Sequence, residues 1–202
     1  IHAQTALPPV WQSDTQKEVQ VSTRTIAYLP PTRIVWQETT GESSIQGLEN
    51  LLLPGNGQAD LFDGQITRIK NGATGKASFL LDFGRELQGG IQVVTGRSSK
   101  KEMKIRVRFG ESVSEAMCDI TPENGATNDH AIRDFYLTLP WLGVAEIGNS
   151  GFRFVRIDLE EPDAELSLKE IRATFGYRNI PYLGSFKCDN ERLNDIWMTG
   201  AY

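Results

Sequence analysis

The segment Leu80–Glu111, LLDFGRELQGGIQVVTGRSSKKEMKIRVRFGE, constrains this chain more than any other. Ile105, Val107 and Phe109 alternate with Lys104, Arg106 and Arg108. A period of two marks a strand with one face in a core and the other in water. Upstream, an apolar strand ends in Asp82-Phe83-Gly84, and a polar turn is expected to close on Gly89-Gly90 before the next strand. A chain built on such a segment folds as a β-sandwich.

The rest of the sequence repeats the pattern. Strands are expected at Ala77–Phe83, Gly90–Thr95, Met103–Phe109, Ile132–Leu139, Phe152–Leu159 and Leu166–Phe175, separated by Gly, Asn, Asp or Pro. Two earlier strands are expected, one from Val19 and Val21 towards Tyr28 and one over Arg33–Trp36. Leu51–Gly57 reads as an ordered loop stopped by Pro54, Gly55 and Gly57. In Phe152–Leu159 apolar residues occur at both parities, so that strand is expected to be covered on both faces. Short strands with almost no helical periodicity define an all-β class, a sandwich or jelly roll of the galactose-binding-like kind.

The last residues differ. Asp189 is placed to cap a helix, with Leu193, Ile196 and Trp197 on one stripe. This reads as the start of a truncated helix opening a second, helical domain. The expected organisation is 1–76, strands and loops joining the sandwich; 77–185, the main sandwich; and 186–202, a junction and first helix.

Chemistry is sparse. With 26 acidic and 21 basic residues the net charge is −5, which offers nucleic acid no electrostatic footprint. The basic run from Arg97 to Lys104 reads as the solvated end of a hairpin. No apolar run is long enough to span a membrane. Cys118 and Cys188 carry no metal-site spacing and leave two free thiols or one disulfide open. Glu111, Glu115, Asp119, Glu123 and Asp129 cluster in a loop that is either solvated or, through residues such as Asp119 and Asp129, a calcium site. Nothing fixes two of them at the separation that glycoside hydrolysis needs. His2 and His130 lack a nucleophile elbow, so no catalytic residue is assigned. Aromatics that could stack on sugar are Trp11, Trp36, Trp141 and Tyr182, with Trp36, Trp141 and Tyr182 the sugar-binding candidates. Trp141, between Pro140 and Gly143, is expected to be exposed. Arg153 and Arg156 are expected to be ion-paired.

Asp82-Phe83-Gly84, Gly89-Gly90, Phe109-Gly110-Glu111, Asp134-Phe135-Tyr136 and Gly151-Phe152-Arg153-Phe154-Val155 resemble, in order and spacing, the non-catalytic β-sandwich of bacterial α-L-rhamnosidases. Phe186–Asp189 and Leu193–Trp197 are similar to that family's junction into its helical barrel. The resemblance implies an accessory domain of a periplasmic or extracellular, inverting glycoside hydrolase. Its acid and base would reside on an (α/α)6 barrel, an intramolecular partner beyond Tyr202. Asp82, Gly84, Gly89, Gly90, Glu111, Asp134 and Arg153 would then be structural, as turn glycines and as carboxylates satisfying buried backbone donors. No cofactor is implied, and calcium stays open. The alternatives are a carbohydrate-binding module and, third, a complete small enzyme.

Overall fold

The computed structural model describes residues 24–59, 64–121, 123 and 133–202. His2, Trp11, Val19, Val21, Asp129 and His130 lie outside them. Thr25–Tyr177 forms one compact unit and Arg178–Tyr202 belongs to another.

The first unit contains, among the described residues, nine antiparallel strands: β1 Thr25–Leu29, β2 Arg33–Thr39, β3 Ser44–Gln46, β4 Thr67–Asn71, β5 Ala77–Thr95, β6 Glu102–Gly110, β7 Asp134–Pro140, β8 Gly143–Leu159 and β9 Ala164–Tyr177. Helix α1 spans Val113–Met117, and a 3₁₀ turn covers Leu48–Leu52.

The long strands serve both layers of a sandwich. Residues 77–82 of β5 pair with β2 on one side and with residues 154–158 of β8 on the other. Residues 89–95 of β5 pair with β9 and with residues 143–150 of β8. The first layer is therefore β2-β5-β8-β6-β7, and the second is β8-β5-β9 extended by β1, β4 and β3. Strands that change layer do so at bulges, and the register of β5 on β8 shifts between Asp82 and Leu87 and again between Gly89 and Ile91.

This corrects two expectations. Gly84 to Gly90 is no hairpin turn but an irregular stretch inside one strand, because both flanks keep β8 as partner. Nor is Arg97–Lys104 a hairpin end. β6 pairs with β7 and β8 rather than with β5, so the connection crosses between layers. There Ser98 is buried and Lys100 Nζ donates to Glu161 and to the Pro162 carbonyl.

The core lies between the layers. Phe79, Leu81, Ile91, Val93, Ile105, Val107, Phe109, Val155 and Ile157 are wholly or almost wholly buried in it, at alternate positions of their strands. Phe109 stacks on Phe152 at 4.6 Å and meets Phe135 edge-on, while Phe83 meets Phe152 edge-on. A second cluster lies on the opposite face of the first layer, where Leu80 and Phe154 are covered by Ala116 and Met117 of α1 and by Trp36. That cover accounts for Phe154, whereas Phe152, at the same parity, enters the main core beyond the register shift between Asp82 and Leu87. Its Val155, Ile157 and Leu159 face the main core and Phe154 faces α1.

In the other unit, helix α2 spans Glu191–Ala201. Its N-cap is Asn190, not Asp189. The Asn190 side chain accepts from the Arg192 and Leu193 N–H groups, and Asn194 accepts from the Cys188 N–H. The expected stripe forms, but no residue of α2 is buried, and Leu193, Ile196 and Met198 are exposed.

Candidate functional site

The outer faces of the two layers carry different chemistry. On the first layer, alternate positions hold a ladder of guanidinium and carboxylate groups. Arg106 binds Asp134 through two hydrogen bonds and also reaches Asp119 at 3.1 Å. Arg108 donates to Asp119 and to Asp158, both at 2.9 Å. Arg156 donates to Asp158 and lies over the Trp36 ring, 4.9 Å from its centroid. Arg33 and Arg153 close on Asp82, whose carboxylate is buried and also accepts from the Gly84 N–H at 2.7 Å.

This ladder answers most of the residue expectations. Arg153 and Arg156 are ion-paired as expected. Asp82 does satisfy a backbone donor. Asp134 instead serves a side chain, Arg106. Glu111 is exposed, and its own N–H is held by Glu115, which with Ser112 caps α1. Asp119 sits between two guanidiniums, so its charge is already compensated, an arrangement that suits an ion pair and not a calcium ligand.

Burial opposes the ionised form of Asp82, but hydrogen bonds from Arg153, the Gly84 N–H and Arg33 outweigh it and lower its pKa from 3.8 to about 2. A carboxylate lowered on folding stabilises the fold above its unfolded value and loses that contribution as pH falls through the folded value. The shift corresponds to roughly 2 kcal/mol. Urea unfolding at about pH 5 and about pH 2.5 should therefore show a smaller acid loss for Asp82→Asn than for the parent chain. Equal losses would remove Asp82 as a source of acid sensitivity.

The second layer carries a line of non-identical polar groups, one on each of four adjacent strands. Arg172 on β9 lies over the Tyr28 ring of β1, 4.0 Å from its centroid. Arg172 Nε donates to Gln92 Oε1 on β5 at 2.7 Å. Gln92 Nε2 in turn donates to Glu146 Oε1 on β8. Glu170, almost fully buried, lies 3.7 Å from Arg172 and accepts the Gly57 N–H with both oxygens. A shallow depression opens beside Tyr28, lined also by Leu53, Pro54, Gly55, Glu170 and Arg172. A Cβ on Gly55 would fall 2.0 Å from the Glu170 carboxylate, so any larger residue there would displace that carboxylate.

Within the sandwich, Trp36 and Trp141 are not brought together. Trp141 is exposed at the β7–β8 turn, where its carbonyl accepts from Ser98, beside the C-terminal end of β5. Trp36 pairs across from Leu80 near the start of β5 and is half-buried under Arg156. Tyr182 belongs to the other unit, where its hydroxyl donates to the Ala201 carbonyl. The Tyr28–Arg172–Gln92–Glu146 line is not legible in the sequence because 118 positions and three strand pairings separate its ends; the alternation of polar and apolar residues in β9 is its one local signal.

No protein-family model and no curated protein sequence matches the chain. Solved structures do. A rhamnosidase from Klebsiella oxytoca with rhamnose bound aligns at TM-score 0.55 and 13% identity, over 86% of this chain and 33% of that one. A GH78 family rhamnosidase of Bacillus sp. GL1 aligns at TM-score 0.53 and 20% identity, over 75% of this chain and 14% of that one. A Streptococcus pneumoniae fucose binding module aligns at TM-score 0.44 and 13% identity, over 73% and 91%. At these identities the likeness defines the fold: an all-β sandwich of jelly-roll type. The chain spans a third or less of the two rhamnosidases. Among the described residues no helix is long and apolar enough to cross a membrane.

Proposed function

We propose that this chain is the accessory β-sandwich of a rhamnosidase-like glycoside hydrolase, supporting an (α/α)6 catalytic barrel and carrying no catalytic residue of its own. The observation that supports this most is the likeness to the Klebsiella oxytoca rhamnosidase, which takes in 86% of this chain but 33% of that one. The carboxylates agree with it. Asp82, Asp134 and Asp158 are each held by guanidiniums and Glu170 by a backbone N–H, so they act as fixed acceptors rather than as an acid and base across a cleft. The exposed apolar stripe of α2 gives a barrel a surface to cover. The compartment is the periplasm or the cell exterior, where glycans are met.

The test is hydrolysis of an aryl α-L-rhamnoside by this chain and by the product of its whole reading frame. Activity is expected only where the frame encodes the barrel. Turnover by residues 1–202 alone, or a frame that encodes no helical barrel, would overturn the reading.

A further inference from the structure

We infer that the outer face of the second layer is a saccharide-binding platform built on Tyr28, Arg172, Gln92 and Glu146. The ligand class rests on the glycan-related reading above; the site rests on its own geometry. Four side chains on β1, β9, β5 and β8 span three inter-strand gaps, about 14 Å at ordinary strand spacing, the reach of a di- or trisaccharide. Each is fixed by its neighbour: ring against guanidinium, guanidinium to amide, amide to carboxylate. Such a line loses little side-chain freedom when a ligand arrives.

Its two ends keep capacity that the interior does not. Gln92 is 8% exposed and has both ends of its amide engaged. Tyr28 is 47% exposed, and neither its hydroxyl nor Glu146 Oε2 makes a hydrogen bond among the described residues. A ring that stacks on C–H faces, and a carboxylate that accepts from vicinal hydroxyls, are what a pyranose requires. The depression beside Tyr28, with Leu53 and Pro54 on its wall, gives an apolar face of the sugar a second contact.

Charge selects against other ligands. Arg172 is answered by Glu170 and by the Gln92 carbonyl, so no uncompensated cation is left for a phosphate. Glu146 already accepts from Gln92 and has no second carboxylate beside it on this line, which leaves a metal ion without a donor set. A neutral polyhydroxylated ligand fits.

The test is titration of the 202-residue chain with L-rhamnose and with a rhamnose disaccharide, followed by amide NMR. Saturable shifts are expected at Tyr28, Arg172, Gln92 and Glu146, the Gln92 side-chain NH₂ included. Tyr28→Ala should weaken the response at least about tenfold, Tyr28→Phe should keep the stack and most of the affinity, and Trp141→Ala should change nothing. Because Tyr28 is exposed, the spectrum of each variant reports whether the fold is kept. A flat response up to about 50 mM of both sugars, shifts centred on Trp141, or equal binding by Tyr28→Ala would each overturn the platform. None of these touches the accessory reading, which stands or falls on the hydrolysis assay.

Discussion

Replacing Asp158 with alanine should lower the free energy of unfolding by about 3–5 kcal/mol. Asp158 and Arg108 are both almost fully buried, with side chains 2% and 5% exposed. One Asp158 oxygen accepts from Arg108 and the other from Arg156. Burial by itself penalises the ionised form, yet hydrogen bonds from Ser78 and Arg156 and the nearby charge of Arg108 hold its pKa below the usual carboxylate value. Among the described residues, Arg108 without Asp158 keeps Asp119, and its Nε is already buried with no hydrogen-bond partner among them. A buried guanidinium between β8 and β6 that has lost one of its two carboxylates is the costly species, more than the lost hydrogen bonds. Arg33→Ala supplies the comparison: its side chain is 63% exposed and Arg153 stays on Asp82, so about 1 kcal/mol or less is expected. Urea denaturation of both variants decides it. A cost below about 1 kcal/mol for Asp158→Ala would mean that water or a rotamer change rescues Arg108, and that the ladder is ornamental to stability.

How far the sequence carries to this architecture depends on the range of the interaction. The alternation of Lys104 to Phe109 is local, and β6 folds as that alternation demands. Apolar residues at both parities of β8 likewise announce cover on both faces, although what covers the second face, α1, is five residues long and carries too little periodicity to be anticipated. The helix at Glu191–Ala201 is local too, and its cap differs by one position because Asn190 reaches two backbone donors at once. Layer exchange is different in kind. Gly84, Gly89 and Gly90 are as suited to a turn as to a bulge, and only the partners of the flanking residues, 56 to 72 positions away on β8, decide between them. The same holds for function. Trp36 and Trp141 stand out one at a time as sugar-contacting residues, but pairing register separates them. The register that separates them also assembles Tyr28, Arg172, Gln92 and Glu146 from four distant segments.

Substituting Gly89 by alanine should cost about 3 kcal/mol or more, and the reason is the layer exchange itself. Gly89 adopts φ +151°, which L side chains rarely tolerate, and an added Cβ would lie 2.1 Å from the Thr174 carbonyl oxygen of β9. Its neighbour Gly90 is as tightly enclosed, with the Ile147 and Gly148 oxygens of β8 at 2.4 and 2.3 Å from a hypothetical Cβ. The obstacles are backbone atoms of the strands on either side, so a rotamer change cannot relieve them. Relief requires β5 to move away from β8 or β9 at the point where it passes from one layer to the other, beside the Phe83–Phe152–Phe109 cluster. Gly176→Ala is the matched control. It lies on β9, where the nearest atom to a new Cβ is the Gln88 oxygen at an ordinary 3.8 Å, and a change within about 0.5 kcal/mol is expected. Thermal unfolding of the pair separates a general intolerance of alanine from a collision at the exchange point. If Gly89→Ala unfolds at the parent's temperature, the strand bends elsewhere, and the bulge between Gly89 and Ile91 is not what joins the two layers.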